Sequence, residues 1–144
     1  MVAAGSFPLE WQRLLDLAMA SLVAAIEQAV EGNRLGDISN AVQRTAEAAG
    51  FSIVRDFVGH GIGREMHEDP QIPNFGPAGQ GPVLKAGMTF AIEPMVNLGV
   101  HQTEILEDGW TVVTKDRLPS AHFEHTVAVG KEQAEILTVA DKPV

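Results

Sequence analysis

The chain opens with helical periodicity and continues with strand periodicity. The apolar residues Trp11, Leu15, Leu22, Ile26 and Val30 share one helical stripe, which predicts an amphipathic helix from Trp11 to Val30 with Pro8 in its first turn. Gly32 and Asn33 interrupt the pattern. A second helix is predicted with Ile38, Val42, Ala46 and Ala49 on one face, closed by Gly50 at its C′ position. After Gly50 the text changes to short runs rich in β-branched and aromatic residues, at 51–58, 89–96, 100–106, 110–114 and 123–129, which predict strands. Asp108-Gly109 predicts a tight hairpin turn between two of them. The Pro- and Gly-dense stretch from Pro70 to Pro82 predicts an irregular surface loop.

Composition narrows the class. With 144 residues, 45% of them hydrophobic and 20% charged, the chain has the make-up of one soluble globular domain. Ten Lys and Arg against nineteen Asp and Glu give a formal charge of −9 with no basic stripe, which argues against a nucleic-acid partner. The apolar segment from Leu14 to Val30 is interrupted by Asp16, Glu27 and Gln28, so no membrane span is expected. Residues 1–8 lack a secretory pattern, and the cytoplasm is the expected compartment. The absence of cysteine removes disulfides, thiolate metal sites and cysteine nucleophiles together. Any metal must therefore be held by imidazole and carboxylate.

Three stretches concentrate such groups. In Gly59-His60-Gly61-Ile62-Gly63, followed by His67-Glu68-Asp69-Pro70, glycines on both sides of His60 allow a ligand or another chain to come close to it. A glycine turn bearing surface histidines is the plainer alternative, and the spacing does not match the dinucleotide fingerprint. In Thr89-Phe90-Ala91-Ile92-Glu93-Pro94-Met95, strand alternation puts Phe90 and Ile92 on one face and Ala91 and Glu93 on the other. Pro94 holds Glu93 in extended geometry and so directs its carboxylate; a solvated edge-strand glutamate is the competing reading. In 120–127, His122, Glu124 and Thr126 share one face, and Phe123, His125 and Val127 the other. His125 reads as a hydrogen-bonded structural histidine. For His122, that reading competes with a place in a cleft beside Glu124. Imidazole and carboxylate together suit borderline divalent ions such as Mn, Fe, Co and Zn.

In chain order, GHGIGxxxHExP, TFAIEPM and FEHT resemble the C-terminal half of a type I methionine aminopeptidase, in the pita-bread metallopeptidase superfamily. The likeness runs from about Trp11 onward and takes in NRLGDI at 33–38 and DGWTVVTKD at 108–116. Met95 after Glu93-Pro94 is similar to the aminopeptidase branch, where prolidases usually show a glycine. The short interval from Glu93 to Glu124 lacks the long insertion typical of type II enzymes.

The resemblance implies an α+β chain with a partial pita-bread fold, two helices followed by a curved, mainly antiparallel sheet. Residues 1–144 would be a single domain, the C-terminal half of the aminopeptidase catalytic domain. It implies metal-dependent removal of the N-terminal methionine from nascent proteins, whose N-terminal peptides are the expected partners. A complete site of this kind holds two divalent ions (Co, Mn, Fe or Zn). His60 and Glu93 would bind one ion, Glu124 would bridge both, and Glu93 would also relay a proton. His67 would hydrogen-bond the substrate carbonyl and its tetrahedral intermediate. Trp110 would lie beside the methionine pocket, with Met66 on its wall at a position often aromatic in relatives.

Two further ligands, aspartates on paired strands upstream of the first helix, have no counterpart in this sequence. Asp16 and Glu27 lie in the helical pattern, Asp108 in the hairpin turn, and Asp37, Asp56, Asp69 and Asp116 form no paired-strand pattern. One ion or fewer per chain is therefore expected, with little or no turnover by the chain alone. A half-fold of this kind should self-associate or be complemented by an N-terminal half that pairs with its sheet. The alternative function is a non-catalytic module that keeps the half-fold and binds a peptide or partner protein.

Overall fold

The computed structural model describes residue 1 and residues 4–139. Two helices lead, α1 (Leu9–Ile26) and α2 (Leu35–Ala48). The strands are β1 (Ser52–Ile53), β2 (Gly59–Gly61), β3 (Glu68–Ile72), β4 (Thr89–Ile92), β5 (Met95–Asn97), β6 (Thr103–Ile105), β7 (Val112–Thr114), β8 (Ser120–His122), β9 (His125–Ala128) and β10 (Glu135–Ile136). They form a five-stranded sheet in the order β10-β9-β4-β2-β3, a three-stranded sheet β1-β5-β8 and a hairpin β6-β7, with every strand pairing antiparallel.

The two larger sheets share their central chain. β4 runs into β5 and β9 into β8 through breaks at Glu93-Pro94 and Phe123-Glu124. The register is unchanged across the breaks, Ile92 opposite His125 on one side and Met95 opposite His122 on the other. The result is one curved surface bent along a line, as the sequence reading expected. Alternation survives the bend: Phe90, Ile92, Val96, Ala121 and Val127 are buried in a single core with Leu14, Ala18, Leu22, Ile38 and Val42 of the helices. Such burial, on the order of 1.5–3 kcal/mol per large apolar side chain, holds the helices on the convex face and leaves the opposite face for chemistry.

The first helix buries part of the stripe that periodicity picked out: Leu22 and Ile26 are buried and Leu15 packs against the core, joined by Leu14, Ala18, Ser21 and Ala25. Trp11 is 44% exposed, and Val30 lies beyond the helix in a bridge to Gly130. A pattern weighted toward bulky side chains passes over the small residues of the buried face. α2 ends where expected. Gly50 takes φ +86°, its N–H bonds Glu47 O and the Phe51 N–H bonds Ala46 O, the paired bonds of a Schellman motif.

Four further expectations are corrected. The run 51–58 yields only β1. The glycine-flanked His60 lies on a strand, because without side chains β2 can pair tightly on both edges. β3 extends into the stretch read as loop, and Pro70, with no N–H to donate, is tolerated there because β3 is an edge strand. The remainder of that loop is laid on α2: Asp37 accepts the Gly79 N–H at 2.7 Å, and Arg34 and Asn40 donate to the carbonyls of Gly81 and Gly76. The turn at Asp108-Gly109 is wider than a two-residue hairpin, since the last paired bond is Leu106 N–H to Thr111 O.

Candidate metal centre

The bend positions the site. Continuity of register sets Glu93 opposite Glu124 on neighbouring strands, with the Phe123 N–H bonded to Pro94 O at 3.4 Å. Asn74, buried, donates its side-chain amide to Glu93 O at 3.2 Å and fixes the backbone at the break. His60 is paired with Ala91, two residues before Glu93 on the same face. The small Ala91 side chain leaves that face clear for the imidazole to reach Glu93.

His60 Nε2 lies 3.4 Å from Glu93 Oε1, and His122 Nε2 lies 3.4 Å from Glu93 Oε2. Glu93 thus offers one oxygen to each imidazole. Glu93, His122 and Glu124 each present a donor atom within 4.8 Å of the others. His60 Nδ1 lies 2.9 Å from Gly61 O and donates to it. A second carboxylate opposite Glu93 is unfavourable unless positive charge lies between the two. Among the described residues, no Lys or Arg pairs with Glu93 or Glu124. The donor set of imidazole nitrogen and carboxylate oxygen, with no thiolate, fits a borderline divalent ion.

The glycines beside His60 are sterically required. A Cβ on Gly59 would sit 2.4 Å from Ala91 O, and one on Gly61 would sit 2.3 Å from Asp69 O. The close approach inferred from sequence is real, but what approaches is this chain's own backbone, from β4 and β3.

Of the other sequence-predicted residues, the structure brings only His67 against the cluster. His67 is exposed in the bend before β3, with its ring centroid 4.3 Å from that of His60 and tilted 50°. Met66 is 72% exposed beside it. Trp110 stands on the β6-β7 hairpin, 87% exposed. Asp108 braces that hairpin: it accepts the Thr111 hydroxyl first and then the N–H groups of Trp110 and Thr111, which holds its carboxyl below the usual aspartate range. His125 points away from the cluster, its Nδ1 2.9 Å from Thr138 Oγ1. Sequence reasoning left His122 open and missed Asn74. Alternation with Glu124 was the available signal for His122; nothing local marks Asn74.

Fold and donor set together define a candidate metal centre at the bend of a pita-bread sheet. Residues 1–131 match metallopeptidase family M24, and the chain belongs to that family. It is 55% identical over 135 residues to a methionine aminopeptidase of Clostridium perfringens, covering 94% of this chain and 54% of that one. The crystal structure of methionine aminopeptidase from Thermotoga maritima superposes with a TM-score of 0.91 at 50% identity, covering 93% of this chain and 54% of the other. That of the Rickettsia prowazekii enzyme gives 0.91 at 44% identity, covering 94% and 55%. The chain spans about half the length of the curated relatives it matches. Among the described residues, no helix is long and apolar enough to cross a membrane.

Proposed function

We propose that this chain carries part of the catalytic centre of a methionine aminopeptidase, acting on the N-terminal peptides of newly made proteins. The observation that supports it best is the opposition of Glu93 and Glu124 across the bend, with His60 against Glu93. In this reading residues 1–144 form one domain, corresponding to the C-terminal half of the aminopeptidase fold, and work in the cytoplasm.

His60, Glu93 and Glu124 are the proposed ligands, for one ion of the Mn, Fe, Co or Zn group. A bound ion of this kind polarises a carbonyl and lowers the pKa of water. Glu93, directed by Pro94, is placed to accept and return a proton at the scissile bond. His67, beside His60, is placed to donate to the substrate carbonyl as negative charge develops on its oxygen. Met66 and Trp110 are the apolar side chains offered to the methionine side chain. A second ion would need donors beyond His60, Glu93 and Glu124, of the kind a complementing N-terminal half would bring.

Calorimetric titration with Mn or Co, run beside cleavage of a Met-Ala-Ser peptide, tests the reading. The expected result is binding near one ion per chain, abolished in Glu124→Ala, with little or no turnover. The alternative, a peptide-binding module without catalysis, predicts peptide binding without any metal uptake.

A further inference from the structure

We propose that His122 is itself a metal ligand, so that Glu93, His122 and Glu124, gathered at the bend, bind a cation together with His60. The inference rests on the metal reading above and adds a ligand to it. Three separate features of the structure support it.

The first is placement. His122 ends β8 and Glu124 precedes β9, two residues apart across the break and on one face. The continuous register then puts Glu93 opposite Glu124 and diagonal to His122. All three side chains therefore rise from a bend held by backbone pairing on both sides.

The second is distance. The donor atoms lie within 4.8 Å of one another, against about 3.4 Å between ligands of a tetrahedral ion with bonds of about 2.1 Å. His122 Nε2 and Glu93 Oε2 already stand at that spacing, 3.4 Å apart, and the His122 side chain is only partly covered, 43% exposed.

The third is the division of Glu93. One of its oxygens faces His60 and the other faces His122, each at 3.4 Å. A carboxylate shared in this way turns one oxygen toward each imidazole. His122 thus supplies the nitrogen ligand that a group of two carboxylates lacks, and it suits a borderline divalent ion over Mg or Ca, which prefer oxygen.

The test is titration of the full chain with Co(II), followed by visible absorption and by the ring nitrogen resonances of its histidines under Zn(II). Substitutions are His122→Gln and His122→Ala, with Glu124→Ala as control and far-UV circular dichroism to confirm folding. The expected result is Co(II) affinity lower by at least about tenfold in both His122 variants, a changed absorption band, and a zinc-induced shift at His122 Nε2 in the unsubstituted chain. Unchanged affinity in both variants, with binding still lost in Glu124→Ala, overturns the assignment of His122 and leaves the carboxylate site standing. A His122 ring nitrogen that does not respond to zinc overturns it equally, even if a variant misfolds. No binding of either ion by the unsubstituted chain overturns the metal reading and this inference together.

Discussion

Glu93 and Glu124 face each other across an antiparallel pair whose register does not change through the bend. Like charges so opposed are destabilising, which makes this pair a cost to the metal-free fold that a cation reverses.

Replacing Glu124 with Gln should therefore stabilise the metal-free chain by about 0.2–1 kcal/mol, a rise in Tm of about 1–4 °C for a chain of this size. The same substitution should weaken metal binding. Thermal unfolding in EDTA and in Co(II) checks both signs. A fall in Tm in EDTA contradicts the opposed-carboxylate account.

Metal removal from the unsubstituted chain should lower its Tm. Binding restricted to the folded state stabilises by about 2.7 kcal/mol at a free ion concentration a hundred times Kd. Stepwise addition of Mn or Co during thermal unfolding should raise Tm with the logarithm of concentration, and EDTA should reverse it.

Gly59→Ala and Gly61→Ala should each destabilise the chain by about 1–3 kcal/mol or more. The added methyl would meet backbone oxygens at 2.4 and 2.3 Å, and neither neighbouring strand can yield without breaking its pairing. Gly109→Ala, with open space around it, should cost less despite its φ of +68°. Urea denaturation of the three variants orders them.

Leu22→Ala, at a fully buried position of α1, should cost about 2–5 kcal/mol through loss of burial and an unfilled cavity. Metal affinity of the folded fraction should not change, because the helix packs on the face opposite the cluster. Denaturant titration and Co(II) titration of the same variant separate the two effects.

The β6-β7 hairpin should respond to acid through Asp108. Its Thr111 hydroxyl and the amides of Trp110 and Thr111 favour the charged carboxylate, so the folded value is depressed. For a depressed value, the stabilisation is present above the ordinary aspartate value and is lost as pH falls through the lowered one, below about pH 4. Amide resonances of Trp110 and Thr111 should titrate together in that range and not near neutrality. In Asp108→Asn the transition should disappear. Asp116, held low first by the Val100 N–H and then by the Leu118 N–H, should titrate alongside.

Local alternatives were legible in the residues alone. Periodicity marked two helices and their limits to within a few residues, Gly50 marked the end of the second, and alternation separated Phe90 and Ile92 from Glu93, and Val127 from Glu124, without saying which face of the second strand is buried. The absence of cysteine left only imidazole and carboxylate as strong donors. What only the tertiary structure decided was which of these groups meet. His60 lies 33 residues before Glu93, and Glu124 lies 31 after it, so their meeting depends on strand pairing, which no local pattern encodes. The unbroken register across the bend joined the two carboxylates and drew His122 toward them, because side chains distant in sequence meet only when their strands pair.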